Sequence, residues 1–168
     1  MSTGGKCKAR IQMNSDFSDL LRIFIEAGVR YLVVGGYAYG EYVEPRYTKD
    51  LDVWIERSGD NADRLLTALR VFGAPLHDLS KDDLLSPGTF FQIGLPPNRI
   101  DIITQLEEMD FSACWERRKT ILLSDLAVDF ISIDDLIENK ERTARPHDLA
   151  DAEYLRTARA NSKETSEK

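Results

Sequence analysis

Apolar positions change period several times along the chain, and each change marks an element. Phe17, Leu20, Leu21, Phe24 and Ile25 recur at helical spacing behind Asn14 and Ser15, two residues suited to cap a helix, and Gly28 follows as a stop. Tyr31 to Val34 is a short apolar run ending at Gly35-Gly36, the pattern of a buried strand meeting a turn, and a short helix over 37–42 is expected behind it. From Asp50 the period drops to two. Leu51, Val53 and Ile55 alternate with Asp50, Asp52 and Trp54, so both carboxylates fall on one strand face. Ala62, Leu65, Leu66, Leu69 and Phe72 define another helix, closed by Gly73 and Pro75. Residues 89–95, the turn Pro96-Pro97-Asn98 and residues 99–105 predict two strands joined by a tight connection, with further short strands at 120–123 and 127–131. Cys114 and Trp115 open an apolar helical stretch. Helices are expected over 134–142 and from Pro146, at a first-turn position, to about Ala158.

Strands early and helices late make an α+β pattern: a small mixed β-sheet flanked by helices over residues 15–131, with a short helical C-terminal part, 132–158, packed on that core. The first dozen residues are small and polar or basic and the last ten carry charge without an apolar face, so residues 1–14 and 159–168 are expected to be flexible. No Ser/Gly/Pro-rich linker and no internal repeat divides the chain.

Composition narrows the function. The 168 residues are 42% hydrophobic and 30% charged, an ordinary globular balance, and one compact domain is expected. Twenty-two Lys and Arg against 29 Asp and Glu give a net charge of -7. Bulk binding to nucleic acid or anionic lipid, which needs a basic surface, is disfavoured, so any anionic ligand has to be held by a local device. The two cysteines, Cys7 and Cys114, are too few for a disulfide framework or a thiolate zinc cluster, which fits a reducing cytoplasm. No apolar run approaches the roughly 20 residues that span a bilayer, and the first residues carry no hydrophobic leader, so neither secretion nor membrane insertion is expected.

Three carboxylates are the candidate chemistry. Asp50 and Asp52 stand about 6.5 Å apart along their strand. Asp101, between Ile100 and Ile102 in another apolar strand, joins them if the strands are neighbours. Such a cluster repels itself unless a divalent cation neutralises it, and it then suits phosphoryl or nucleotidyl chemistry. Two plainer readings stand beside it: a solvated Asp-x-Asp face, and an Asp101 salt-bridged to Arg99 or another arginine. Gly35-Gly36 ahead of a helix can bring backbone N–H groups against a phosphate, or can serve only a tight turn needing positive φ. Neither the long phosphate-binding loop of common NTPases nor the Gly-x-Gly-x-x-Gly dinucleotide fingerprint is present. Tyr37, Tyr39, Tyr42 and Tyr47 crowd the turn, either to stack a base or, as the better reading, mostly to pack the short helix on the sheet. His77 and His147 read as surface residues and exclude a His-Glu-x-x-His zinc site. Cys114 reads as core. Trp54 either walls the cleft or packs at a strand end.

Val34-Gly35-Gly36, then residues 37–49, then Asp50-Leu51-Asp52-Val53, with the later Arg99-Ile100-Asp101-Ile102, resembles the signature of the DNA polymerase β-type nucleotidyltransferase superfamily. More narrowly, Arg46-x-Thr48-x-Asp50-Leu51-Asp52, Phe91-Gln92-Ile93-Gly94-x-Pro96-Pro97-x-Arg99-Ile100-Asp101, Asp135-Leu136-Ile137-x-Asn139-Lys140 and Arg145-Pro146-x-Asp148-Leu149-x-Asp151 resemble small bacterial nucleotidyltransferase-like proteins, some of them related to toxin-antitoxin systems. The resemblance spans roughly residues 15–158. It implies a cytoplasmic enzyme that moves a nucleoside monophosphate from an NTP such as ATP to a hydroxyl on protein, RNA or a small molecule. It assigns two Mg²⁺ ions, with Mn²⁺ as a substitute, to Asp50, Asp52 and Asp101, and gives Asp101 a part in deprotonating the acceptor. It places the triphosphate on Gly35 and Gly36, with Arg46, Thr48, Lys140 and Arg145 as further nucleotide contacts, beside the plainer reading of Lys140 and Arg145 as a solvated helix end. A partner protein encoded nearby is a further expectation. The sequence departs from the pattern at Tyr37, bulky beside the phosphate turn, and in the segment 141–145, which lacks a glycine often found before the Arg-Pro pair. The alternative is a weakly active or inactive member serving as a nucleotide-binding or partner-binding module.

Overall fold

The computed structural model describes residues 11–167 and is α+β, as the pattern predicts. Helix α1 (Ser15–Ala27) begins where Asn14 accepts a hydrogen bond from the Phe17 N–H at 2.9 Å, and it ends at Gly28 in the left-handed conformation, φ 71°. Its apolar stripe of Phe17, Leu20, Leu21 and Phe24 is fully buried. Each of these side chains contributes roughly 1.5–3 kcal/mol of hydrophobic stabilisation. Strand β1 (Tyr31–Val34) follows, buried along its length, then α2 (Gly35–Tyr42), β2 (Asp50–Ile55) and α3 (Gly59–Phe72), the last capped by Ser58 and closed by Gly73.

Next come α4 (Lys81–Leu85), the hairpin β3 (Phe90–Ile93) and β4 (Arg99–Ile103), α5 (Phe111–Glu116), and the hairpin β5 (Lys119–Leu123) and β6 (Leu126–Phe130). Helices α6 (Ile133–Thr143) and α7 (Pro146–Ser166) complete the chain. The six strands form one open sheet in the order β3-β4-β2-β1-β6-β5. Pairs β2/β4 and β1/β6 are parallel and β1/β2 is antiparallel. The C-terminal end of β1 therefore lies at the same end of the sheet as the N-terminal ends of β2 and β4. The three candidate carboxylates and the Gly35-Gly36 turn gather toward that end. Helices α6 and α7 pack against α2 at that end. No helix among the described residues is long and apolar enough to cross a membrane.

Several expectations are corrected in detail. Helix α7 runs on to Ser166, past the end expected near Ala158. Its buried positions stop at Leu155, so the continuation is a solvated helix that apolar periodicity cannot register. Helix α4 is unheralded by any apolar period; it is set by a capping box, with Ser80 and Asp83 each satisfying the other's backbone N–H. The expected loose N-terminus falls outside the described residues up to residue 10, Cys7 included, and residues 11–14 lead into the Asn14 cap without regular structure.

At the sheet end away from the carboxylates, Asn61 is wholly buried and acts as a stitch. Its Oδ1 accepts from the Arg30 N–H at 2.7 Å, and its Nδ2 donates to the carbonyls of Arg30 at 3.0 Å and Glu56 at 2.9 Å. It locks the entry to β1 against the exit from β2, and so holds the antiparallel register on which the glycine turn depends.

Candidate metal and nucleotide site

Two strand registers build the site. In the parallel pair, Asp52 stands opposite Asp101 and Asp50 opposite Arg99, so the period of two places all four side chains on one face at the mouth of the sheet. In the antiparallel pair, Val34 stands opposite Asp52, which brings the next residue, Gly35, over the Asp52 carboxylate. One carboxylate oxygen each from Asp50, Asp52 and Asp101 lie within 4.8 Å of one another. The cluster that the spacing suggests is therefore a cluster in space, able to hold a metal ion.

Both glycines are there for room. Gly35 has φ +64°, and a β-carbon on it would overlap Asp52 Oδ2; a β-carbon on Gly36 would overlap the Thr48 methyl. The chain thus passes directly over the carboxylate strand as it enters α2, leaving the first N–H groups of that helix beside the acidic cluster. Tyr37 stands beside this turn, in the field of Asp50. Its ring packs edge-on against Phe17, centroids 5.6 Å apart, and forms part of the wall of a neighbouring cavity of about 320 Å³ with Gly36, Tyr47, Thr48, Pro97 and Asn98. Tyr39 and Tyr42 are buried as expected for packing residues, while Tyr47 is 77% exposed. Trp54, on the carboxylate face, packs edge-on against Phe111 at the far end of its strand, away from the cluster. His77 and His147 are exposed and Cys114 is buried.

The electrostatics follow from crowding. Burial first, then the neighbouring charges of Asp50 and Asp101, push the Asp52 carboxyl up to about 7, against the counteracting cations Arg99 and Lys140. Asp101, 2% exposed, is also raised by burial, although the Arg99 guanidinium works against the shift. Among the described residues Arg99 is the one cation in contact with the cluster: its Nη2 donates to Asp50 Oδ2 at 2.6 Å and to Asp101 Oδ2 at 3.1 Å. Its Nε lies 3.0 Å from Asp101 Oδ1 but is not aligned as a hydrogen bond, which leaves both buried atoms unsatisfied.

A divalent cation fits this donor set. Three hard oxygen ligands converge, one of them with an orphaned buried oxygen, under a backbone turn cleared of β-carbons.

The remaining expected contacts divide. Lys140 is buried within reach of Asp52's field, but its ammonium is already held by Asp148 and Asp151, each at 3.0 Å. Arg46 is tied to the same Asp151 by two hydrogen bonds of 3.0 and 2.9 Å and lies 4.0 Å over the Tyr39 ring. Asp151 is therefore the hub joining α6, α7 and the segment before β2. Arg145, the N-cap residue of α7, is exposed and makes no ion pair among the described residues, so it is not brought to the cluster by any contact. Sequence reasoning assigned no role to Asp148 and Asp151. Their signal is visible, since carboxylates at i and i+3 share one helix face opposite a lysine on the preceding helix.

No family model matches the chain, and no curated protein matches it.

Proposed function

We propose that this chain is a metal-dependent nucleotidyltransferase of the DNA polymerase β type, transferring a nucleoside monophosphate from an NTP to a hydroxyl. The observation that carries the reading is the convergence of Asp50, Asp52 and Asp101 directly under the Gly35-Gly36 turn. Glycine turn, paired carboxylates and a third carboxylate on the adjacent parallel strand then have one use in common, the handling of a polyphosphate next to cations.

Asp50, Asp52 and Asp101 would hold one or two Mg²⁺ or Mn²⁺ ions, whose role when bound is to neutralise phosphate charge and lower the pKa of the acceptor hydroxyl. The N–H groups at the start of α2 receive phosphate oxygens, and the absent β-carbons let them approach. Asp101, raised by burial, accepts the hydroxyl proton as the acceptor oxygen bonds to the α-phosphorus and pyrophosphate leaves. Thr48 lines the wall beside Gly36, and Lys140 adds positive potential behind Asp52 from its carboxylate clamp.

The test is incubation of the full chain with each α-labelled NTP, Mg²⁺ or Mn²⁺ and cell extract, beside Asp52→Asn. Label transferred to an acceptor by the wild type and not by the variant supports the reading; no Asp52-dependent transfer with any NTP sinks it. A second reading, an inactive module that binds nucleotide or a partner protein, is favoured by one observation: the Arg99 guanidinium engages two of the three carboxylates. Calorimetry showing no Mg-NTP binding, together with stable capture of a protein partner, would select it.

A further inference from the structure

Arg99 is placed by the same rule that places the cluster. It lies two residues before Asp101 in β4, hence on the same face, and pairs in register with Asp50 of β2. A side chain so positioned has the cluster as its nearest anionic neighbour. It uses that position fully, with one Nη2 shared between Asp50 and Asp101 and Nε facing the remaining Asp101 oxygen. These are the oxygens a metal ion would need. A carboxylate lone pair given to a guanidinium proton is not available to a cation at the roughly 2.0–2.1 Å of a Mg²⁺–oxygen bond.

We infer that Arg99 is the internal counter-ion of the carboxylate cluster, holding Asp50 and Asp101 together in the metal-free protein and withdrawing when a divalent cation enters. The inference rests on the metal-site reading above and adds the competitor that sets the affinity of that site.

Three features support exchange over a permanent bridge. The guanidinium brings one positive charge to three carboxylates, so the cluster stays under-neutralised, whereas a divalent ion brings two charges at shorter range. The Nε–Oδ1 approach is close but misaligned, so the fork is incomplete and two buried atoms remain unsatisfied. The side chain is 30% exposed, so the guanidinium has an aqueous route out while the strand stays in place. Asp52, which receives no hydrogen bond from Arg99, keeps its oxygens free as the first contact for an incoming cation. Arginine remains charged throughout, so the step is an ion exchange with no proton transferred.

The experiment compares wild type, Arg99→Met and Arg99→Lys as full chains, without nucleotide. Mn²⁺ affinity is read from the electron paramagnetic resonance of the free ion, and thermal stability is read with and without Mg²⁺. Arg99→Met is expected to bind Mn²⁺ roughly tenfold or more tightly than wild type, because a unit charge in contact with the ligands has been removed. It is also expected to melt lower without metal and to gain more on metal addition. Arg99→Lys, charged but unable to fork, should fall between. In wild type, the Arg99 Nε–H resonance should shift or broaden into solvent exchange on Mg²⁺ addition, a readout that needs no variant. Equal Mn²⁺ affinity in wild type and Arg99→Met, weaker binding by the variant, or an unmoved Nε–H signal at saturating Mg²⁺ would overturn the inference and leave the metal site standing. Binding by Arg99→Met alone would support it and overturn the proposed activity of the natural chain. Binding by neither protein would overturn both.

Discussion

Replacing Asp52 by Asn removes one of three like charges from a place too dry to hold them all, and should make the metal-free protein more stable while ending its ability to bind metal. The Asp52 carboxyl stands at about 7 in the fold, against 3.8 for the free side chain, a rise caused by burial and then by Asp50 and Asp101. The folded state therefore binds the proton more tightly than the unfolded chain. That stabilising contribution is complete below about pH 4, is lost as pH rises through about 7, and is absent at pH 8, where the ionised carboxylate strains the fold. The gap of about 3 units corresponds to at most about 4 kcal/mol at 1.36 kcal/mol per unit. Partial exposure of the side chain and the flexibility of the cluster reduce this to an expected gain of about 2 kcal/mol for the neutral amide at pH 8. For a chain of this size that is a rise of about 4–8 °C in Tm. At pH 5 the folded carboxyl is still protonated but the unfolded chain's is already largely ionised, so about a third of the gain remains, and the two proteins should melt within about 3 °C of each other. Differential scanning calorimetry at pH 5, 6.5 and 8 checks the trend, with a second series in Mg²⁺ that should stabilise wild type and not Asp52→Asn. A gain of equal size at pH 5 and pH 8, or a loss at pH 8, would refute the electrostatic account of this residue.

Gly35→Ala combines a left-handed φ with an overlap onto the Asp52 carboxylate, and should cost about 2–3 kcal/mol and abolish Mn²⁺ binding, measured by denaturant melts and metal titration. Asp151→Ala leaves Lys140 with Asp148 alone and Arg46 with none, so a loss of about 3 kcal/mol is expected, with weaker Mg-NTP binding by calorimetry; unchanged stability would show that the clamp is ornamental. Burial alone would raise the Asp148 and Asp151 carboxyls, but their bonds to Lys140, Thr143 and Arg46 hold both below the ordinary value, so the stability they add is present at neutral pH and disappears as pH falls through those depressed values. Arg145→Ala should change stability by less than about 0.5 kcal/mol, since its side chain is exposed and makes no ion pair among the described residues, so any drop in NTP affinity would report a contact made only with ligand.

Much of this arrangement is legible in the sequence. The period-two run through Asp50 and Asp52 announces the strand and the shared face, the apolar run into Gly35-Gly36 announces the turn, and the 3.6-residue stripes announce α1 and α3. What periodicity cannot convey is adjacency between strands distant in the chain. That β4 lies beside β2, parallel, with Asp101 opposite Asp52, follows only once α3, α4 and β3 have been threaded between them. The same blindness covers the cations. Arg46 and Lys140 look like free phosphate contacts in the sequence and are tied to Asp151 in the fold, because i, i+3 carboxylates on a later helix carry no label naming their partners. The end of α7 escapes for the opposite reason: beyond Leu155 it has no fully buried position, and its helicity comes from residues such as Ala, Arg, Lys and Glu with favourable intrinsic propensity.

The register that sets Asp52 against Asp101 has one further consequence. Alignment of the carboxylates is fixed by backbone ladder bonds between β2 and β4, while the residues between them, 56–98, contribute none of the three ligands. The intervening stretch is free to lengthen, shorten or acquire a new loop at its exposed α3–α4 and α4–β3 connections without moving an oxygen of the cluster. A chain built this way separates the part of itself that must keep its geometry from the part that can be rewritten without disturbing the cluster.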